Sequence, residues 1–163
     1  MTVHSADGED TGRTAPSVAR PPRQLCAGGI VFDDDRRLLL IRRGRPPSLG
    51  SWSIPGGRCR PGETTADACV RELAEETGLV VEVERYVGRV ERDAPDGGIY
   101  EIEDFLCRVV GGELQAGDDA ADARWVSAAD LSGQSEQSAR DGMTFAPGLL
   151  DALTAWGLLR LDG

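Results

Sequence analysis

Between Gly57 and Leu79 the chain reads GRCRPGETTADACVRELAEETGL, the stretch that most narrows what it can fold into. Ala66, Cys69, Val70, Leu73 and Thr77 recur at helical spacing and make one stripe suited to burial. Thr64 or Thr65 caps the start, and Gly78 suits a left-handed stop, so a helix from Thr64 to Thr77 is predicted. Alongside the stripe, Glu72, Glu75 and Glu76 fall within five residues, next to Arg71. At about 100° per residue they share a narrow face, and their repulsion disfavours the helix unless something offsets it. An all-oxygen cluster of this kind suits a hard divalent cation. The competing reading is an ordinary solvated face.

Around the helix the chain reads as β-structure. LCAGGIVF (25–32), a DDDRR turn and RLLLIRR (37–43) predict a two-stranded hairpin. GRPPSLGSW is loop-like, and Ser53-Ile54-Pro55-Gly56-Gly57 is an extended piece entering a sharp turn, because a residue before proline avoids helix. LVVEVERYVGRVER (79–92) and IYEIEDFLCRVV (99–110) are strands joined by an APDGG turn. GGELQAGDDAADA is a loop, ARWVS a short strand, SAADL a helical turn and APGLLDALTAWGLL a terminal helix. The order β-β-α-β-β-β-α predicts an α/β (α+β) fold, a mixed β-sheet packed between helices. Residues 1–23 are polar, without periodicity and rich in Gly and Pro, and read as a disordered arm; residues 24–163 form one domain. The single histidine, His4, lies in that arm, where it cannot be held in place as a base.

A formal charge of −10 argues against nucleic acid or a membrane surface as partner. Cys26, Cys59, Cys69 and Cys107 form no CxxC pair, which fits reduced thiols in a cytoplasmic protein. No apolar run approaches the roughly 20 residues of a membrane span.

Written as a pattern, residues 57–79 are G-x5-E-x7-R-E-U-x-E-E-x-G-U, with U aliphatic, and every fixed position is filled. Seven such residues at roughly 7% usage each coincide by chance on the order of once in 10⁸ starting points, so the solvated-face reading loses most of its weight. The stretch resembles the signature of the Nudix hydrolases, and Trp52-Ser53-Ile54-Pro55-Gly56-Gly57 resembles that family's approach to it. The resemblance implies an α/β/α sandwich. It implies Mg²⁺-dependent hydrolysis of a pyrophosphate bond in a nucleoside diphosphate linked to a further group X, with Mn²⁺ as the other suitable ion. It makes Glu75 and Glu76 core metal ligands, Glu72 a further ligand or the base that activates water, and Glu63 an outer-sphere group. Gly57 offers its carbonyl to the metal, and Arg71 orients a glutamate.

Substrate choice lies outside the box. Pro95 stands sixteen residues after Leu79, an offset that resembles the ADP-ribose pyrophosphatase pattern, although turn chemistry explains a proline in APDGG equally well. Many of those enzymes carry a long ordered N-terminal segment used in dimerisation, in place of which this chain has its polar arm. Cleavage of nucleoside triphosphates, oxidised ones included, is therefore the alternative, followed by a non-catalytic nucleotide sensor. The box glutamates, all kept, speak against the sensor, and the composition speaks against RNA decapping, which calls for a basic track. Glu101 and Glu103 share one strand face as candidate extra acids, with Asp104 on the opposite face beside Tyr100, Ile102 and Leu106. Asp118 and Asp119 are loop acids. Arg42, Arg43 and Arg45 are candidate phosphate or ribose contacts, and Trp52 is a candidate for stacking on a base. Trp125 and Trp156 are assigned to the core, and the terminal helix is suited to cover the sheet or a second subunit.

Overall fold

A computed structural model describes residues 16–17, 19–133 and 142–160. The arm expected over residues 1–23 lies mostly outside the described residues, and order is visible from β1 (Arg23–Val31) onward. There follow β2 (Leu38–Arg43), β3 (Trp52–Ser53), β4 (Gly56–Arg58), α1 (Thr65–Thr77), β5 (Leu79–Asp93), β6 (Ile99–Gly112), β7 (Ala120–Val126), α2 (Ala128–Leu131) and α3 (Leu149–Ala155).

Two sheets form the middle of the molecule, one of order β4-β1-β6-β5 and one of order β3-β2-β7. The first is mixed: β1 runs parallel to β6 and antiparallel to β4. Both faces of β1 are covered, so CAGGIV reads as an apolar run without alternation. Ala27, Val31, Phe105 and Cys107 meet Cys69 and Leu73 of α1 on one face. Ile30, from the other face, packs with Leu38, Leu40, Val126, Leu131, Leu149 and Leu153, which brings in α2 and α3. These two cores give the α/β/α layering that the sequence predicts.

The predicted hairpin of β1 and β2 is corrected. The two strands belong to different sheets, and their backbones pair only at the bridge Phe32–Leu38. Both edges of β1 are taken by β4 and β6, so β2 pairs with β3 and β7 instead. The connecting turn is held by Asp33, whose carboxylate accepts from the Arg37 backbone N–H and Nε, each at 2.7 Å. The terminal helix is shorter than predicted. Gly148 and Gly157 adopt left-handed conformations on either side of α3, at φ 76° and 71°, and interrupt the pattern. No helix among the described residues is long and apolar enough to cross a membrane.

Candidate active site

Helix α1 is built as the sequence predicts. Thr64 Oγ1 accepts from the Asp67 N–H, and Gly78 closes the helix at φ 72° with its N–H on the Ala74 carbonyl. Its buried face carries Ala68, Cys69, Leu73 and Thr77 and also two of the box glutamates, Glu72 and Glu76, at 9% and 6% exposure. Carboxylates are rarely buried to this degree without a partner.

The partners come from β4 and from Arg71. Glu76 Oε2 accepts from the Gly56 N–H at 3.0 Å. Burial nevertheless pushes the Glu76 carboxyl up to about 8, and the Glu72 and Asp118 charges push the same way. Glu72 is raised by burial too, against the pull of Arg71. A Cβ on Gly57 would stand 2.5 Å from the Glu72 carboxyl, so only glycine lets β4 lie over this glutamate.

Arg71 gathers the remaining acids. Its Nε and Nη2 donate to the two Glu63 oxygens at 2.7 and 2.9 Å, Nη1 donates to Glu72 at 2.8 Å and Glu75 at 3.3 Å, and Nη2 also reaches the Arg58 carbonyl. The fork holds the Glu63 carboxyl well below its usual range, at about 2, helped by the Arg60 backbone N–H. Glu75 is the most open of the four, at 35% side-chain exposure, and is also paired with Arg60. Glu63, Glu72, Glu75 and Arg71 are thus brought together, and Glu76 lies beside them under Gly56. Among the described residues, no three acidic, histidine or cysteine side chains converge on one point as metal ligands. The donor chemistry still fits a hard divalent cation. All the donors are oxygens; burial raises the proton affinity of both Glu72 and Glu76, and the Glu72 charge raises that of Glu76 further, a setting that a cation would relieve.

On the other side of the Gly56–Gly57 backbone, a cavity of about 390 Å³ opens between the first sheet and α3. Arg43, Arg58 and Arg92 line it together with Tyr100, Ile102, Asp104 and Trp156. Arg43 is therefore at the site, whereas Arg42 is exposed on β2 and does not line the cavity. Trp52 is 4% exposed in the second core, with the Arg124 guanidinium 5.1 Å from its ring centre, so it does not stand at the mouth of the box. Trp156 keeps its core contacts and also forms cavity wall, stacked over Gly88. Of the acids outside the box, Glu101 is paired with Arg23 and Arg89, and Glu103 accepts from Thr65 Oγ1 at 2.5 Å. Asp119 is paired with Arg45 at 3.0 Å, while Asp118 is felt electrostatically by Glu72 and Glu76. Asp104, which the sequence shows only as a member of the opposite strand face, lines the cavity together with Asp93, and of the two it is the buried one. The one available signal is strand parity: a charged residue on a face shared with Tyr100, Ile102 and Leu106.

Arg71→Lys is expected to lower kcat/KM by about 10- to 100-fold, since one ammonium cannot bridge Glu63, Glu72 and Glu75 as the fork does. Steady-state kinetics with a thermal melt as folding control measures this; wild-type turnover would show that the fork is dispensable.

The layered α/β/α frame thus carries an acidic helix beside a cavity that three arginines line. The NUDIX domain model matches residues 22–145, and the chain belongs to the Nudix family, whose members generally use divalent metal ions. An ADP-ribose pyrophosphatase from Methanocaldococcus jannaschii is 42% identical over 98 residues, 58% of this chain and 57% of that protein. A putative 8-oxo-dGTP diphosphatase 2 from Mycobacterium tuberculosis is 41% identical over 108 residues, 66% of this chain and 74% of its own length. Among solved structures, a MutT NUDIX hydrolase from Burkholderia pseudomallei matches at TM-score 0.68 and 25% identity, over 82% of this chain and 97% of that one.

Proposed function

We propose that the chain hydrolyses a pyrophosphate bond in a nucleoside diphosphate linked to a group X, with ADP-ribose as first substrate, in a single Nudix domain over residues 24–163. The observation that carries this is the burial of Glu72 and Glu76 beneath two glycines, Glu76 held by the Gly56 N–H and Glu72 by an arginine that collects three of the box acids. Glu75 and Glu76 would hold the cation, magnesium before manganese, with Glu72 as further ligand or base, Glu63 in the outer sphere and the Gly57 carbonyl turned to the ion. When bound, the ion supplies Lewis-acid polarisation of the phosphate and lowers the pKa of water there. The chain's own residues do the rest. The Gly56 N–H fixes Glu76, and Arg71 sets the angle of Glu72 and Glu75. A box carboxylate takes the proton of the attacking water as its oxygen bonds to phosphorus and the bridging P–O bond breaks, the electron pair leaving on the departing phosphate. Arg43, Arg58 and Arg92 offset the charge of the polyanion in a protein of net charge −10.

Cleavage of oxidised purine nucleoside triphosphates is the second reading, favoured by the name of the M. tuberculosis relative. The partner would be a small nucleotide, with no role for nucleic acid, and the four free thiols suit a cytoplasmic setting. A homodimer, tested by light scattering, is part of the same proposal.

The test is a panel assay of phosphate release with coupled phosphatase. ADP-ribose, sugar nucleotides, dinucleoside polyphosphates, and oxidised and normal triphosphates are compared by kcat/KM. The highest value for ADP-ribose supports the first reading and for 8-oxo-dGTP the second; no cleavage of any member overturns both.

A further inference from the structure

Asp104 is 3% exposed, and its Oδ1 is the one buried side-chain polar atom among the described residues without a hydrogen-bond partner. Buried polar groups are almost always satisfied, because leaving one unpaired costs stability, so an orphan on a residue that lines a cavity calls for an explanation. The fold makes room for it deliberately. Asp104 sits opposite Gly28 in the β1–β6 register, and a Cβ on Gly28 would stand 2.2 Å from Asp104 Oδ1. Gly28 in turn sits opposite Gly56 in the β1–β4 register. Asp104, Gly28 and Gly56 therefore make one row across three strands, roughly 10 Å from end to end at the usual strand spacing. The far end of that row is the Gly56 N–H that holds Glu76.

The surroundings of the orphan suit a flat aromatic ligand. Ile102, Tyr100, Trp156 and Leu153 supply apolar and ring surface, and Arg92 is the one charged group felt by the Asp104 carboxyl. Arg92 is tied by its Nη2 to the Pro147 carbonyl at 2.8 Å and makes no ion pair with Asp104. Burial holds the Asp104 carboxyl up at about 7, so both its charged and its neutral form are accessible near neutral pH.

We propose that Asp104 reads the nucleobase of the substrate, its unpartnered oxygen accepting from an N–H on a purine edge while the phosphates extend along the row to Gly56, Gly57 and the box glutamates. This deepens the pyrophosphohydrolase reading and rests on it. It names a purine nucleotide as substrate and the β6 acid as the residue that selects it. The purine edge has two sources: guanine presents ring N1–H and exocyclic N2–H to a carboxylate, and adenine presents N6–H beside the N1 acceptor to a protonated carboxyl.

The test is isothermal titration of the full chain with three 5′-monophosphates, those of adenosine, guanosine and purine riboside, the last lacking any exocyclic amine. Wild type is expected to bind AMP or GMP at least about 10-fold more tightly than purine riboside monophosphate, and the preferred one identifies the edge. Asp104→Leu removes that preference, Asp104→Asn reduces it, and both melt at or above the wild-type Tm. Equal binding of all three by wild type, no binding of any at millimolar concentration, or an unchanged preference in Asp104→Leu overturns the assignment. A chain that discriminates in this way yet hydrolyses nothing in the panel would overturn the hydrolase reading and leave the role of Asp104 standing.

Discussion

Glu76→Gln is expected to lower kcat/KM by more than the roughly 10- to 100-fold that follows loss of an outer-sphere partner, and to raise the Tm of the metal-free chain at the same time. Both effects come from one geometry. Glu76 is buried, and its carboxyl is pushed up to about 8 although the Gly56 N–H already serves it. A glutamine amide accepts the same N–H without having to hide a charge, so the fold benefits while the anionic oxygen is lost. Kinetics with saturating magnesium and a melt in chelator, run on the same preparation, read the two effects together. A variant that is both slow and unstable would assign Glu76 to the fold, and near-normal turnover would remove it from the chemistry.

The stability of the metal-free protein is expected to fall as pH rises from about 5 to 8. Burial holds the Glu76 carboxyl up at about 8 and the Asp104 carboxyl up at about 7 in the folded chain, well above the usual carboxylate range. The unfolded chain therefore gives up these protons first. Between the two sets of values the native state binds more protons, and unfolding becomes easier with each pH unit. At about 1.36 kcal/mol per unit, Asp104 alone contributes a loss on the order of 4 kcal/mol by pH 8, and Glu76 one of similar size. Glu63 acts in the other direction: held at about 2, it favours the fold above pH 4.5 and loses that contribution progressively as pH falls from there to about 2. Denaturant melts at pH 5 and 8 in chelator measure the difference. Glu76→Gln and Asp104→Asn should each flatten the profile, and a wild-type profile that is already flat contradicts the burial argument.

The box is the part of this molecule most legible in its sequence. Thr64, Gly78 and the stripe through Cys69 and Leu73 mark the ends and the buried face of α1, because caps and periodicity are local properties. Strand partners are not local. The run 25–32 followed by 37–43 looks like a hairpin, and nothing in those residues reports that both edges of β1 are claimed by β4 and β6. Asp104 was hidden for the same reason: alternation assigns it a face, but the cavity on that face is closed by Ala146, Pro147 and Leu149, more than forty residues later. Trp52 stands next to the box in sequence and is carried into the second core by β3, which pairs with β2 rather than with β4.

We propose that the crowded box glutamates act only with a divalent cation between them. The direct measurement is hydrolysis of ADP-ribose and 8-oxo-dGTP by the chain after exhaustive dialysis against EDTA, before and after magnesium is restored. No turnover is expected in chelator, with full recovery once magnesium is restored; turnover that survives chelation would contradict a metal-dependent reaction.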